Sequence, residues 1–322
     1  MEYFAILIHF CVLYIPGSYG VESLRIFIIG DMGGIDTEPY STFVERSTAQ
    51  EMGKIADLYS PQFIFSLGDN FYYGGVKNVD DKRFNLTFES VFSAESLQIP
   101  WYLIAGNHDH GGNVTAQIAY SQRSKRWNFP NLYYYKEFSI ANNVTLGVVF
   151  MDTVQLCGMT DDFLTTQPQG PANKLDALKQ WHFLKDTLKE SRADYLFTAG
   201  HYPVYSIAEH GPTHCLVKYL QPMLESYRVN GHLSGHDHNL QHLQVRSISG
   251  DSINHFVSGM ANFIDPSTKH EKSVPQGSSL FSYASSKGGF LYAETTVSNM
   301  TFTFINAEGV QLYSTVVFPR KA

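Results

Sequence analysis

The sequence has no run apolar enough to cross a bilayer. Its longest uncharged apolar stretch, residues 3–15, is too short for a span. It has no basic surplus either. Lys and Arg number 23 against 30 Asp and Glu, a net charge of −7, so no positive face offers itself to a nucleic acid. No segment is of low complexity and none repeats at a fixed period, which speaks against disorder and against a repeat array. Cysteine is scarce, at three in 322 residues. What the chain does have is apolar bulk: 43% hydrophobic and 14% aromatic residues, enough for one large core or two small ones.

The short apolar run reads as a signal peptide. Pro16-Gly17 breaks it, and Ser18 and Gly20 are small residues at −3 and −1 of a cut after Gly20, although Glu2 stands where a basic residue is usual. The competing reading is a buried first helix. With residues 1–20 as leader, 21–322 remain as a single domain. Cys11 is lost with the leader, and Cys157 and Cys215 are left to form one disulfide in an oxidising compartment. Sequons at Asn85, Asn113, Asn143 and Asn299 predict a glycoprotein. The expected address is the secretory pathway, lysosomal or secreted.

In the mature chain one pattern recurs: a short apolar run of strand type ends in Gly followed by a polar residue. Residues 24–29 end in Gly30-Asp31-Met32-Gly33-Gly34. Residues 63–67 end in Gly68-Asp69-Asn70-Phe71-Tyr72. Residues 100–105 end in Gly106-Asn107-His108-Asp109-His110. Residues 195–199 end in Gly200-His201, and residues 229–234 in Gly235-His236-Asp237-His238. Between the first two runs, Thr42 and Glu45 form a capping-box signal for a helix reaching Tyr59. A second helix is predicted over 174–190, its apolar face made of Leu175, Leu178, Trp181, Leu184 and Leu188, with His182 on the surface. The C-terminal runs 290–297, 301–305 and 310–317 read as antiparallel strands.

Any one of these motifs alone is more often a cap or a polar turn. Together they place Asp31, Asp69, Tyr72, Asn107, His201, His236 and His238 at strand ends, on the sheet edge where ligands bind. These are oxygen and nitrogen donors for two adjacent cations, with no thiolate, which argues against a structural zinc site. A carboxylate such as Asp69 bridges two ions. A phenolate such as Tyr72 binds only a strong Lewis acid, because free Tyr titrates near about 10. Paired ions of this kind serve phosphoryl displacement.

The order GD, GDxxY, GNH, GH, GHxH resembles the purple acid phosphatases among the metallophosphoesterases, and Tyr72 separates it from the serine/threonine phosphatases. Asn107-His108-Asp109-His110, Ser124-Lys125-Arg126-Trp127-Asn128-Phe129-Pro130, Asp161-Asp162-Phe163-Leu164 and residues 208–215 are similar to the mammalian-type tartrate-resistant branch (type 5). The resemblance implies an α/β (α+β) fold, a four-layer α/β-β/α sandwich of two packed mixed sheets flanked by helices. It implies acid phosphatase activity on phosphate monoesters, with a metal-bound hydroxide attacking phosphorus in line. It also implies two iron ions per chain: Fe3+ held by Asp31, Asp69, Tyr72 and His238, and Fe2+ or another divalent metal held by Asp69, Asn107, His201 and His236. His108 and His210 would bind phosphate and protonate the leaving group. Substrates would be small phosphomonoesters or phosphoproteins, with no nucleic acid, no membrane span and a monomeric chain.

Met32, Tyr73 and Tyr205 depart from residues common in that family, and none is an expected ligand. The family's repressive loop corresponds to residues 160–173, which carry no Lys or Arg; Asn173 stands where an acidic residue would reach the metals, which puts repression and proteolytic activation in doubt. Two other readings stay open: a phosphodiesterase of the same superfamily, or a secreted binding protein with a vestigial metal site.

Overall fold

The computed structural model describes residues 23–160, 167–247 and 250–320. The expected leader and the Asp161-Asp162-Phe163-Leu164 motif lie outside the described residues.

The chain folds into two mixed seven-stranded sheets packed face to face. The first is built from β1 (Leu24–Ile29), β2 (Phe63–Ser66), β3 (Trp101–Leu103) and β4 (Trp127–Asn128). The second takes β5 (Tyr134–Ser139), β6 (Thr145–Phe150), β7 (Tyr195–Ala199), β8 (Gly231–Ser234), β9 (Leu240–Arg246), β10 (Ser252–Ser258) and β11 (Ser279–Tyr283). The chain then returns to the first sheet with β12 (Gly289–Thr295), β13 (Met300–Asn306) and β14 (Gln311–Val317), antiparallel as expected. Strand order is β14-β13-β12-β1-β2-β3-β4 in one sheet and β11-β9-β10-β8-β7-β6-β5 in the other.

The continuous apolar runs follow from burial on both faces. Ile26 and Ile28 of β1 point into the core between the sheets, where they meet Phe65, Phe197, Leu233 and Phe256. Phe27 and Ile29, one step out of phase, pack outward under α1 (Phe43–Tyr59) with Met52 and Ile55. The Thr42–Glu45 capping box forms as predicted. The short helices α2 (Asn107–His110), α3 (Val114–Tyr120) and α4 (Thr153–Cys157) follow β3 and β6. On the second sheet's outer face lie α5 (Lys174–Glu190) and α6 (His214–Ser226), which pack Leu184, Leu188, Leu216, Leu220 and Leu224 inward. Cys157 and Cys215 are joined by a disulfide between α4 and α6.

One expectation is corrected. The buried face of α5 runs through Ala177, Gln180, Leu184 and Leu188, while Leu175 and Leu178 are 61% and 50% exposed. A polar residue wins the central position because Gln180 satisfies the backbone of Asp152, as described below.

Candidate metal centre

The parallel strands β1, β2 and β3 of one sheet and β7 and β8 of the other run toward the same edge of the sandwich, and the polar residues that follow them meet there. Asp31 and Asp69 follow β1 and β2. Asn107 opens α2 after β3. His201 follows β7, and His236 and His238 follow β8. Glycine precedes all of these but His238, because the turns crowd one another. A Cβ on Gly106 would stand 2.1 Å from Oδ1 of Asp69, and one on Gly235 would stand 2.3 Å from Oδ2 of Asp31. Three of the polar residues adopt left-handed backbone: Asp31 at φ 58°, Asp69 at φ 52° and His236 at φ 71°. Such conformations cost about 1–3 kcal/mol each and gather at functional sites. The turn at His236 also explains how histidines two apart reach one place.

All seven predicted side chains come together. The Tyr72 hydroxyl lies 2.9 Å from Asp31 Oδ1 and 2.9 Å from His238 Nε2, and His238 Nε2 is 3.6 Å from Asp31. On the other side, His201 Nε2 is 3.0 Å from Asn107 Oδ1 and 3.3 Å from Asp69 Oδ2. Ligand atoms of Asp69, His201 and His236 lie within 4.8 Å of one another. Asp31, Asp69, Tyr72, Asn107, His201 and His236 are all buried. His201 bonds the Leu67 carbonyl through Nδ1 at 2.8 Å, which fixes Nδ1–H and turns the Nε2 lone pair to the centre.

The donor set fits cations. Burial works to raise the Asp69 carboxyl, but His201 and His108 overcome it and hold the group below the usual carboxylate range. Burial works to lower His201, but Asp69 overcomes it and pushes the imidazole up to about 10. Burial, then Asp31 and Asp69, push the Tyr72 phenol well above its ordinary value, so a strong positive charge is what would ionise it. Burial and the neighbouring histidines hold His236 neutral, the form that ligates metals.

The two expected proton-handling histidines flank this cluster. His108 Nδ1 is tied to the Tyr73 carbonyl at 2.7 Å, and its Nε2 is 4.0 Å from Asp69 Oδ2. The His210 ring stacks on His236 with centroids 4.1 Å apart, and its Nδ1 is buried without a partner. Asn173 instead caps α5, accepting from the backbone N–H of Leu175 and Asp176.

The structure adds residues that motif reading passed over. Buried Asp109 accepts from the N–H groups of Gly106, Asn70 and Phe71 and from Gln117 Nε2 at 2.8–3.2 Å, locking the Asp69 and Asn107 turns together. Burial and then Asp69 push its carboxyl up to about 6. Asp237 accepts from the His210 N–H at 3.0 Å and so places that loop. Each stands between two histidines of its motif, and an acid in that position is the available signal.

The model of the calcineurin-like phosphoesterase family matches residues 24–240. The chain is 50% identical over 315 residues to tartrate-resistant acid phosphatase type 5 of Oryctolagus cuniculus, covering 96% of this chain and 95% of that one. It is 49% identical to the Homo sapiens protein of the same name, over 93% and 92% of the two chains. Among solved structures, GAP50, the anchor in the inner membrane complex of Plasmodium, superposes with a TM-score of 0.76 at 24% identity, over 93% of this chain and 90% of that chain. The purple acid phosphatase PPD1 from yellow lupin superposes with a TM-score of 0.64 at 16% identity, over 92% of this chain and 54% of that chain.

Proposed function

We propose a reaction for a chain that belongs to the calcineurin-like phosphoesterase family and, within it, to the purple acid phosphatases of the tartrate-resistant type. It is an acid phosphatase. The proposed reaction is hydrolysis of phosphate monoesters at a binuclear centre. The observation that carries it is the meeting of seven oxygen and nitrogen donors from both sheets in one cluster.

In this reading Asp31, Tyr72 and His238 would hold a ferric ion, Asn107, His201 and His236 would hold a divalent ion, iron or another, and Asp69 would serve both. When bound, the pair supplies an acidified water as nucleophile and neutralises charge on the phosphate oxygens. The rest falls to the chain. The Tyr73 carbonyl accepts from His108 Nδ1–H, which aims Nε2 at the cluster, where it meets a phosphate oxygen. His210, held by its stack on His236, shares with His108 the binding of the phosphate and the protonation of the leaving group. Asp109 and Asp237 keep these loops in register. No Ser or Cys nucleophile is required.

Residence in the secretory pathway, lysosomal or secreted, is part of the proposal, supported by the leader-like residues 3–20 and by the sequons. Asn85, Asn113 and Asn143 are exposed and Asn299 is half-buried. No helix among the described residues is long and apolar enough to cross a membrane. The test is turnover of matched mono- and diesters by the purified protein at acid pH. Hydrolysis of monoesters that disappears in Asp69→Ala supports the reading; a protein that prefers diesters, or a fully active Asp69→Ala, overturns it.

A further inference from the structure

Beside the metal-ligand cluster a cleft of about 820 Å3 opens on the Asn107 side, between α2 and residues 154–160 and 169–176. Asn107 and His108 line its inner end, Tyr73 one wall, and His110, Gln155 and Asn173 line it further out. A phosphate held at the cluster would send its leaving group into this space. His110 and Gln155 have no part in the hydrolytic centre, yet both are held in fixed orientation by their surroundings.

His110 Nε2 is 2.6 Å from Oδ2 of Asp152, which is fully buried. That bond fixes the ring, and Nδ1 has no partner among the described residues. Burial works against a charge on the imidazole, but Asp152, with Asp109 and Asp69 behind it, overcomes this and raises the group above its ordinary value. When protonated, the ring presents two N–H donors, Nε2–H to Asp152 and Nδ1–H left over. Gln155 is oriented by a chain of bonds that starts at the same aspartate. The Asp152 N–H donates to Gln180 Oε1 at 2.9 Å. Gln180 Nε2 then donates to the Asp152 carbonyl at 3.2 Å and to Gln155 Oε1 at 2.7 Å. With its oxygen engaged, Gln155 has only its Nε2 donors left, and these too have no partner among the described residues. Gln180 is buried in the middle of the α5 face at no evident benefit to packing, and this orienting role accounts for it. His110 stands three residues after Asn107 on α2, so the two share a helix face with Cβ atoms roughly 5–6 Å apart.

We propose that His110, positioned by Asp152, and Gln155, positioned by Gln180, form a binding subsite for a second phosphate group on the leaving-group side, so that diphosphates are bound by both ends. The inference rests on the phosphatase reading of the adjacent cluster. The chemistry is unchanged: the oxygen of water joins the phosphorus at the cluster, the bridging P–O bond breaks, and the departing phosphate leaves with the electron pair and is protonated. His110 and Gln155 touch only the group that leaves.

The test compares inorganic pyrophosphate with p-nitrophenyl phosphate, which carries no second phosphate, on the iron-loaded enzyme at acid pH. Loss of a hydrogen bond to a charged group predicts that His110→Ala raises KM for pyrophosphate about tenfold or more, and Gln155→Ala raises it about threefold. Both variants should leave kcat for p-nitrophenyl phosphate within about twofold of wild type. His110→Lys, which keeps a cation, should recover part of the pyrophosphate KM. Equal losses on the two substrates, or no loss on either, overturn the subsite. A wild-type enzyme inactive on p-nitrophenyl phosphate would instead refute the phosphatase reading itself.

Discussion

The hydroxyl of Tyr72 lies 2.9 Å from Nε2 of His238, although 166 residues separate them. One residue comes from the turn after β2 of the first sheet, the other from the turn after β8 of the second. Their meeting marks where the ferric ion is proposed to sit, with Asp31 as third neighbour. Removing the phenol oxygen alone should separate colour from fold. Tyr72→Phe is expected to abolish the visible tyrosinate-to-iron absorption while leaving the far-UV circular dichroism of the protein unchanged. A variant that keeps the band would remove Tyr72 from the ligand set.

Asp69 is the residue proposed to serve both halves of the cluster. Its oxygens lie 3.3 Å from His201 and 4.0 Å from His108, and it also accepts from the His108 N–H at 3.0 Å. Asp69→Ala should lower kcat/KM for a phosphomonoester by about 10³-fold or more, the scale of losing a preorganised electrostatic element. It should also lower bound metal below two ions per chain by elemental analysis. Retained metal together with retained activity would contradict the bridging role.

Asp109 accepts five hydrogen bonds, from the backbone N–H groups of Asn70, Phe71 and Gly106 and from the side chains of Asn70 and Gln117, and it is not among the proposed metal ligands. Asp109→Ala would strand those donors in a buried place, at a cost on the order of 3–5 kcal/mol. Urea denaturation should show that loss as a lower midpoint. A midpoint within experimental error of wild type would show that the turns are held by something else.

Acid stability carries its own signature. His242 on β9 is buried between Tyr313 and Asn254, and burial lowers its imidazole to about 4. The folded chain therefore binds fewer protons than the unfolded chain between pH 4 and about 6.5. Stability is full above that window and is lost as pH falls through it. Gln at this position has a donor and an acceptor for the same neighbours and does not titrate. His242→Gln should lose about 3 kcal/mol less than wild type between pH 7 and pH 4, read by denaturant midpoints at each pH. Parallel losses in the two proteins would contradict it.

The sequence shows the site more clearly than it shows the second sheet. Asp31, Asp69, Asn107, His201 and His236 stand at the ends of parallel strands, so each is announced by an apolar run and a glycine. β9 and β10 give no such signal. Gln241, His242, Asn254 and His255 are buried within them and break the apolar alternation that marks a strand. β5 is an edge strand with exposed Lys136 and Glu137 and reads as a polar connection. The α5 face departs from its apolar periodicity for a related reason: Gln180 is buried to satisfy the Asp152 backbone, a partner 28 residues away that periodicity does not reveal. Asp109 and Asp237 were hidden among the histidines they support.

The most direct test is metal analysis and a visible spectrum of the purified, active protein, read together. The account predicts two metal ions per chain, at least one of them iron, and a coloured protein whose phosphatase activity and colour disappear together when the metal is stripped. A colourless protein that contains zinc alone and hydrolyses phosphomonoesters at full rate would contradict it.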